Sequence, residues 1–131
     1  MSQQDVATMR AAYEAFNRAD IPAVLAAFDP AIEWHEPGGG RATRGTFRGA
    51  ESVARDVFAR VPEHFAEFQA DAAEFIDASE RLVVTGRFRG QGKGGQVLDT
   101  PFVHVWEMRG GKAASFHNYI DAAAWQAAWG G

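Results

Sequence analysis

The sequence predicts an α+β fold in which helices come first and a sheet follows. In the first part, apolar residues recur every three or four positions, as a helix with one buried face requires. From Phe65 onward, long extended runs are separated by Ser-Glu-Arg, "GQGKGG" and "RGG", the pattern of antiparallel strands joined by hairpins. A short Ala/Trp-rich helix closes the chain. Helices segregated from strands in this order gather on one face of the sheet they cover.

The elements follow in order. Val6, Met9, Tyr13 and Phe16 line one side of a helix from Asp5 to Arg18, with Asp5 favourable in the first turn. "RADIPAVLAAFDP" predicts a short second helix: Asp20 is its N-cap, Pro22 fits the first turn, and Asp29-Pro30 closes it. Ile32 to Glu36 reads as a strand and "PGGGRATRGT" as a loop. A third helix spans Ala50 to Val61, with Val53, Val57, Phe58 and Val61 on one side, and Pro62 stops it. "FAEFQADAAEFIDA", "RLVVTGRFRG", "QVLDTPFVHVWEM" and "KAASFHNYI" are the strands of the meander, and "AAAWQAAW" is the last helix.

A chain of 131 residues suits a single domain, 1–131, with no internal repeat or linker. Its hydrophobic content is 47%, and ten Phe with four Trp supply bulk for a core. A net charge of −4 and scattered arginines argue against nucleic acid and anionic membranes as partners. With no cysteine, disulfides and thiolate zinc sites are excluded. "MSQQDVATMR" does not read as a signal peptide and no stretch suits a bilayer, so a cytoplasmic protein is expected. The histidines 35, 64, 104 and 117 show no metal-ligand spacing, and "PGGG" lacks the Lys-Ser/Thr of a phosphate loop. Neither a metal nor a cofactor is expected.

Alternation along the first strand puts Ile32, Trp34 and Glu36 on one face and Glu33 and His35 on the other. If Ile32 and Trp34 face inward, Glu36 goes with them. A carboxylate beside indole loses hydration, which raises its pKa toward the working range of a general base. The alternative leaves Glu36 in solvent or paired with Arg41 or Arg44. Phe102, His104 and Trp106 likewise share a face, where His104 is either a satisfied core histidine or part of a pocket wall. Trp125 and Trp129, four apart, share one face of the last helix, which caps a pocket or packs in a dimer interface.

"YEAFNRADIPAVLAAFDPAIEWHEPGG", "TFRGAESV" and "FVHVWEMRGGKAASFHNYID" together resemble the nuclear transport factor 2-like superfamily, in its SnoaL-like and ketosteroid isomerase-like branch. The likeness runs in order along nearly the whole chain. It implies a cone: a bent antiparallel sheet wrapped around three N-terminal helices, with a short C-terminal helix and one deep pocket. It also implies pairing into a homodimer through the convex sheet face.

Carried over residue by residue, the isomerase pattern places its general base at the end of the first strand before a Pro, which is Glu36 in "HEP". Its protonated oxyanion-hole acid corresponds to His104 in "FVHVW". Its oxyanion-hole tyrosine corresponds to Ala12; Tyr13 lies one residue on, roughly a hundred degrees around the helix. The SnoaL-like cyclases place an acid–base Asp on the last strand, where this chain has Asn118, which exchanges no proton at neutral pH.

The last strand has two registers. A two-residue turn at Gly110-Gly111 sets His117 opposite His104; a three-residue loop reverses the faces. The pocket positions of the family favour Phe116, Asn118 and Ile120 inward, with His117, Tyr119 and Asp121 outward. The resemblance thus implies catalytic residues Glu36, His104 and Asn118. Substrate would be held by Tyr13, Phe16, Trp34, Phe58, Phe102, Trp106, Phe116 and Ile120. The expected partner is a small apolar carbonyl compound that loses a proton beside its carbonyl, in an isomerase- or cyclase-type reaction. The rival is a non-catalytic ligand-binding or dimerisation module. Epoxide hydrolysis ranks last, because Arg87 has no pair of aspartates placed beside it.

Overall fold

The structure is a computed structural model and describes residues 1–38 and 44–130. Helix α1 (Gln3–Asn17) is capped by Ser2, whose hydroxyl accepts from the Asp5 amide at 3.0 Å. Asp20 caps α2 (Ile21–Ala26) through the Ala23 amide, with Pro22 in the first turn as expected. Strand β1 (Phe28–Pro37) follows at once, so Asp29-Pro30 lies inside the strand instead of closing the helix. The Asp29 carboxylate accepts from the Ala31 amide at 2.8 Å, and pairing is irregular between Phe28 and Glu33. Pro30 therefore sits where the missing N–H breaks no regular ladder.

Strand β2 (Arg44–Arg48) pairs with β1 antiparallel, which corrects the reading of "PGGGRATRGT" as loop throughout. Too short and polar to show alternation, β2 is formed by the edge it finds beside β1. Residues 39–43 of that segment, and with them the suggested Arg41 partner of Glu36, lie outside the described residues.

The third helix is broken where one was expected. Helix α3 (Ala50–Asp56) ends at Val57, a 3-10 turn covers Phe58–Arg60, and α4 (Val61–His64) carries Pro62 in its first turn. In one continuous α-helix the Pro62 ring would clash with the Phe58 carbonyl, so the chain restarts before it.

The meander stands as predicted: β3 (Phe65–Ala78), β4 (Arg81–Gly92), β5 (Val97–Arg109) and β6 (Lys112–Ile120), then α5 (Ala122–Trp129) capped by Asp121. The six strands lie in the order β2-β1-β6-β5-β4-β3. One pair departs from the antiparallel expectation, since β1 runs parallel to β6. The sheet curves without closing, and the helices lie in its concavity. Where β3 takes a bulge between Ala72 and Glu74, it faces Gly86. A Cβ at Gly86 would run into the Asp71 carbonyl and the Phe102 ring, so the bend depends on its absence. Met9, Ile32, Val53, Leu82, Val84, Leu98, Phe102 and Phe116 are the largest of the fully buried side chains.

Both registers proposed for β6 contain part of the answer. The turn at Gly110-Gly111 has two residues, both at positive φ, and pairs Arg109 with Lys112. Yet Ala114 is a surplus residue, because Met108 pairs with Ala113 and Glu107 with Ser115. This bulge restores the other alignment: His104 faces Asn118, Trp106 faces Phe116, and Val105 faces His117.

Candidate functional site

A cavity of about 120 Å³ opens between the helices and the concave face of the sheet. That approaches the ~150 Å³ of an apolar cavity able to hold benzene. Its wall includes Tyr13, Phe16, Trp34, Phe58, Trp106 and Phe116 from the residues expected to hold substrate, and all three of Glu36, His104 and Asn118. Two expected residues stand elsewhere. Phe102 is buried behind the wall, stacked on His104 with ring centroids 4.0 Å apart, and Ile120 lies beside it on β6.

Strand alternation carries Glu36 inward with Ile32 and Trp34, as read from the sequence. Its carboxylate accepts from Trp34 Nε1 at 2.7 Å and from Asn118 Nδ2 at 3.0 Å. Burial raises the Glu36 pKa above its ordinary value, and the bonds from Asn118 and Trp34 oppose the rise. The carboxylate is thus desolvated but held in place by two neutral donors.

In the same wall, Tyr13, Trp106 and His104 form a directional chain. Trp106 Nε1, which can only donate, gives its proton to Tyr13 Oη at 3.0 Å. Burial pushes the Tyr13 pKa upward, so the phenol keeps its own proton. That proton goes to His104 Nδ1, 2.5 Å away. The neutral imidazole therefore carries its hydrogen on Nε2. Burial holds the His104 pKa down to about 3, with Asn118 opposing, so the ring is uncharged at neutral pH. Asn118 opposes through a hydrogen bond to the imidazole, but one short of full geometry: the two residues face each other across the strand pair, and neither His104 Nε2 nor Asn118 Oδ1 has a well-formed partner.

Tyr13 lines the cavity, as expected of a residue that holds substrate. Both Ala12 and Tyr13 are buried, and the tyrosine reaches the site from the position next to the one the isomerase pattern uses. Its hydroxyl is spent on His104 instead of standing free. Asn118 likewise uses its amide on Glu36.

The wall also holds residues the sequence reading did not select, among them Phe28, Phe68 and Phe88, with Arg60 at the rim, and it holds Trp125 and Trp129, in keeping with the pocket-capping alternative for the last helix. Phe88 was open to detection, since it continues the buried alternation of Leu82 and Val84 along β4. Trp125 and Trp129 were visible as a helical pair; their docking against Phe65 and Phe88 needed the tertiary structure. His35 and His117 stack at 4.2 Å on the outer side of the sheet. Arg87 bonds Asp99 at 2.7 Å on that outer side as well, outside the cavity wall. Among the described residues no cluster of His, Asp and Glu is placed to hold a metal ion, and no helix is long and apolar enough to cross a membrane.

The sequence matches the family described as SnoaL-like domain over residues 9–116. No curated protein matches the chain. Among solved structures, an NTF2-like protein of unknown function from Burkholderia pseudomallei is 37% identical, with 100% of each chain covered and a TM-score of 0.89. TerC, co-crystallised with polyporic acid, is 28% identical over 96% of this chain and 98% of its own, with a TM-score of 0.87. A protein of ketosteroid isomerase-like fold from Catenulispora acidiphila, in complex with trimethylamine, shares the fold at 16% identity, with 93% and 91% covered and a TM-score of 0.78.

Proposed function

Because this chain belongs to the SnoaL-like domain family, we propose that its cavity binds a small apolar carbonyl compound and catalyses proton abstraction beside the carbonyl. The observation that carries this reading is the placement of two groups in one aromatic-walled cavity. One is a desolvated carboxylate, Glu36; the other is a neutral imidazole, His104, whose Nε2–H is unspent. Glu36 takes the proton from carbon, and the C–H electron pair moves into the enolate. His104 Nε2–H donates to the enolate oxygen as charge develops there. Asn118 and Trp34 orient the carboxylate and temper its basicity. The aromatic wall excludes water and holds the substrate. Where the substrate is β,γ-unsaturated, the enolate is a dienolate, and return of the proton from Glu36 to its γ-carbon moves the double bond into conjugation, an isomerisation without a cofactor. A small-molecule pocket is in keeping with the TerC structure and its polyporic acid.

The test is α-proton exchange of 1-tetralone in D2O, followed by NMR. Wild-type protein is expected to accelerate exchange above buffer. Glu36→Gln should return it to background while ligand binding stays within a few-fold. Exchange that persists in Glu36→Gln overturns the assignment of the base.

A second reading, a ligand-binding module without chemistry, is favoured by Asn118 standing where the cyclases have an acid. Under it, a ligand co-purifies and leaves unchanged. A homodimer belongs to either reading. Its support is the outer sheet face, where Val103 and Tyr119 are 38% and 54% exposed.

A further inference from the structure

Four indoles stand in the cavity wall. Two are committed: Trp34 Nε1 donates to Glu36, and Trp106 Nε1 donates to Tyr13. Trp125 is 8% exposed, and its Nε1 is buried with no acceptor among the described residues. An indole N–H withdrawn from water without an acceptor forfeits its hydration and gains nothing in return. A phenylalanine at this position of α5 would cover the cavity with no such loss. The aromatic neighbours of Trp125, Phe65, Phe68 and Phe88, offer no acceptor, and the residue lines the cavity, from which the N–H is left to be met.

His104 Nε2 is the second unspent donor in the same wall. Both rings pack on Phe88, with centroids 5.4 Å away for His104 and 5.2 Å for Trp125. Phe88 thus lies against both donors in the wall they share. Asn118 Oδ1 adds an unspent acceptor beside His104, but not beside Trp125.

We propose that Trp125 is a ligand-binding residue whose indole N–H donates to a second oxygen of the substrate, remote from the carbonyl at His104. The ligand class is then a flat, largely apolar molecule with two oxygen acceptors, such as a diketone or quinone-like ring system. One oxygen sits at the reacting end between Glu36 and His104, and the other sits under the C-terminal helix. The placement of the first oxygen rests on the function proposed above; the role of Trp125 is one of binding and specificity.

Naphthalene, 1-tetralone and 1,4-naphthoquinone share one skeleton and carry no, one and two oxygens. Each is titrated into 15N-labelled wild type and Trp125→Phe, with indole N–H resonances as the readout. The chain has no cysteine thiol for the quinone to alkylate. Wild type is expected to bind naphthoquinone tighter than tetralone, and tetralone tighter than naphthalene. The Trp125 indole proton should move downfield with naphthoquinone. Trp125→Phe should lose on the order of tenfold in naphthoquinone affinity and leave naphthalene unchanged.

Equal losses for naphthalene and naphthoquinone would reduce Trp125 to a packing residue and overturn the proposal. So would an unmoved indole resonance at quinone saturation, a wild type that does not prefer the second oxygen, or one that binds none of the three. Binding selectivity that depends on Trp125 while exchange survives Glu36→Gln would remove the catalytic reading and leave this one standing.

Discussion

At the residue scale, Glu36 and His104 impose opposite pH dependences on stability. The folded pKa of Glu36 is raised above 4.5, so just above pH 4.5 the unfolded chain releases a proton that the folded chain retains. Stability therefore falls as pH rises from about 4.5 to the folded value, and is constant above it. His104 is neutral in the fold down to about pH 3, against an ordinary value of 6.5. As pH drops below 6.5 the unfolded chain gains a proton that the folded chain refuses, and stability falls until about pH 3. Urea midpoints across pH 3 to 8 check both. Glu36→Gln should remove the loss on the alkaline side, and His104→Gln the loss on the acid side. Each tenfold displacement of an acid constant is worth about 1.4 kcal/mol. A wild-type curve unchanged by either substitution would mean that water reaches these groups.

At the scale of elements, two irregularities place the site. The β3 bulge opposite Gly86 bends the sheet, and the Ala114 bulge reconciles a two-residue turn with an inward Asn118. Gly86→Ala tests the first. Its methyl group would meet backbone of β3, which cannot move aside as a side chain can, so a loss of about 1–3 kcal/mol or more is expected in urea denaturation. A neutral result would show that the bend tolerates a Cβ. The bulge at Ala114 explains why turn length alone cannot predict which face of β6 a residue occupies. One surplus residue reverses the faces beyond it.

At the scale of the whole molecule, the sheet has a concave side filled by helices and an outer side carrying Val103, Tyr119 and the His35–His117 stack. A homodimer formed through that outer side should appear in sedimentation equilibrium. Placing a charge there with Val103→Glu should shift the equilibrium toward monomer, because an unpaired carboxylate is costly to bury. Cavity binding should be left intact. Unchanged mass in the variant would move the interface elsewhere.

The fold class, the four long strands, the terminal helix and the inward course of Ile32, Trp34 and Glu36 follow from local pattern, because periodicity and turn residues act within a few positions of the chain. Local pattern also brought His104 onto the same face as Trp106. Tertiary structure decided the rest. The short β2 exists because β1 offers it an edge, and the broken third helix follows a proline clash within the cover of the sheet. Tyr13 became a partner of His104 across a separation that no window of sequence spans. Local pattern offered both a desolvated and a solvated Glu36; the choice between them and the protonation state of His104 were beyond it. They depend on how completely distant segments exclude water from each group, and that is set only when the helices close over the sheet.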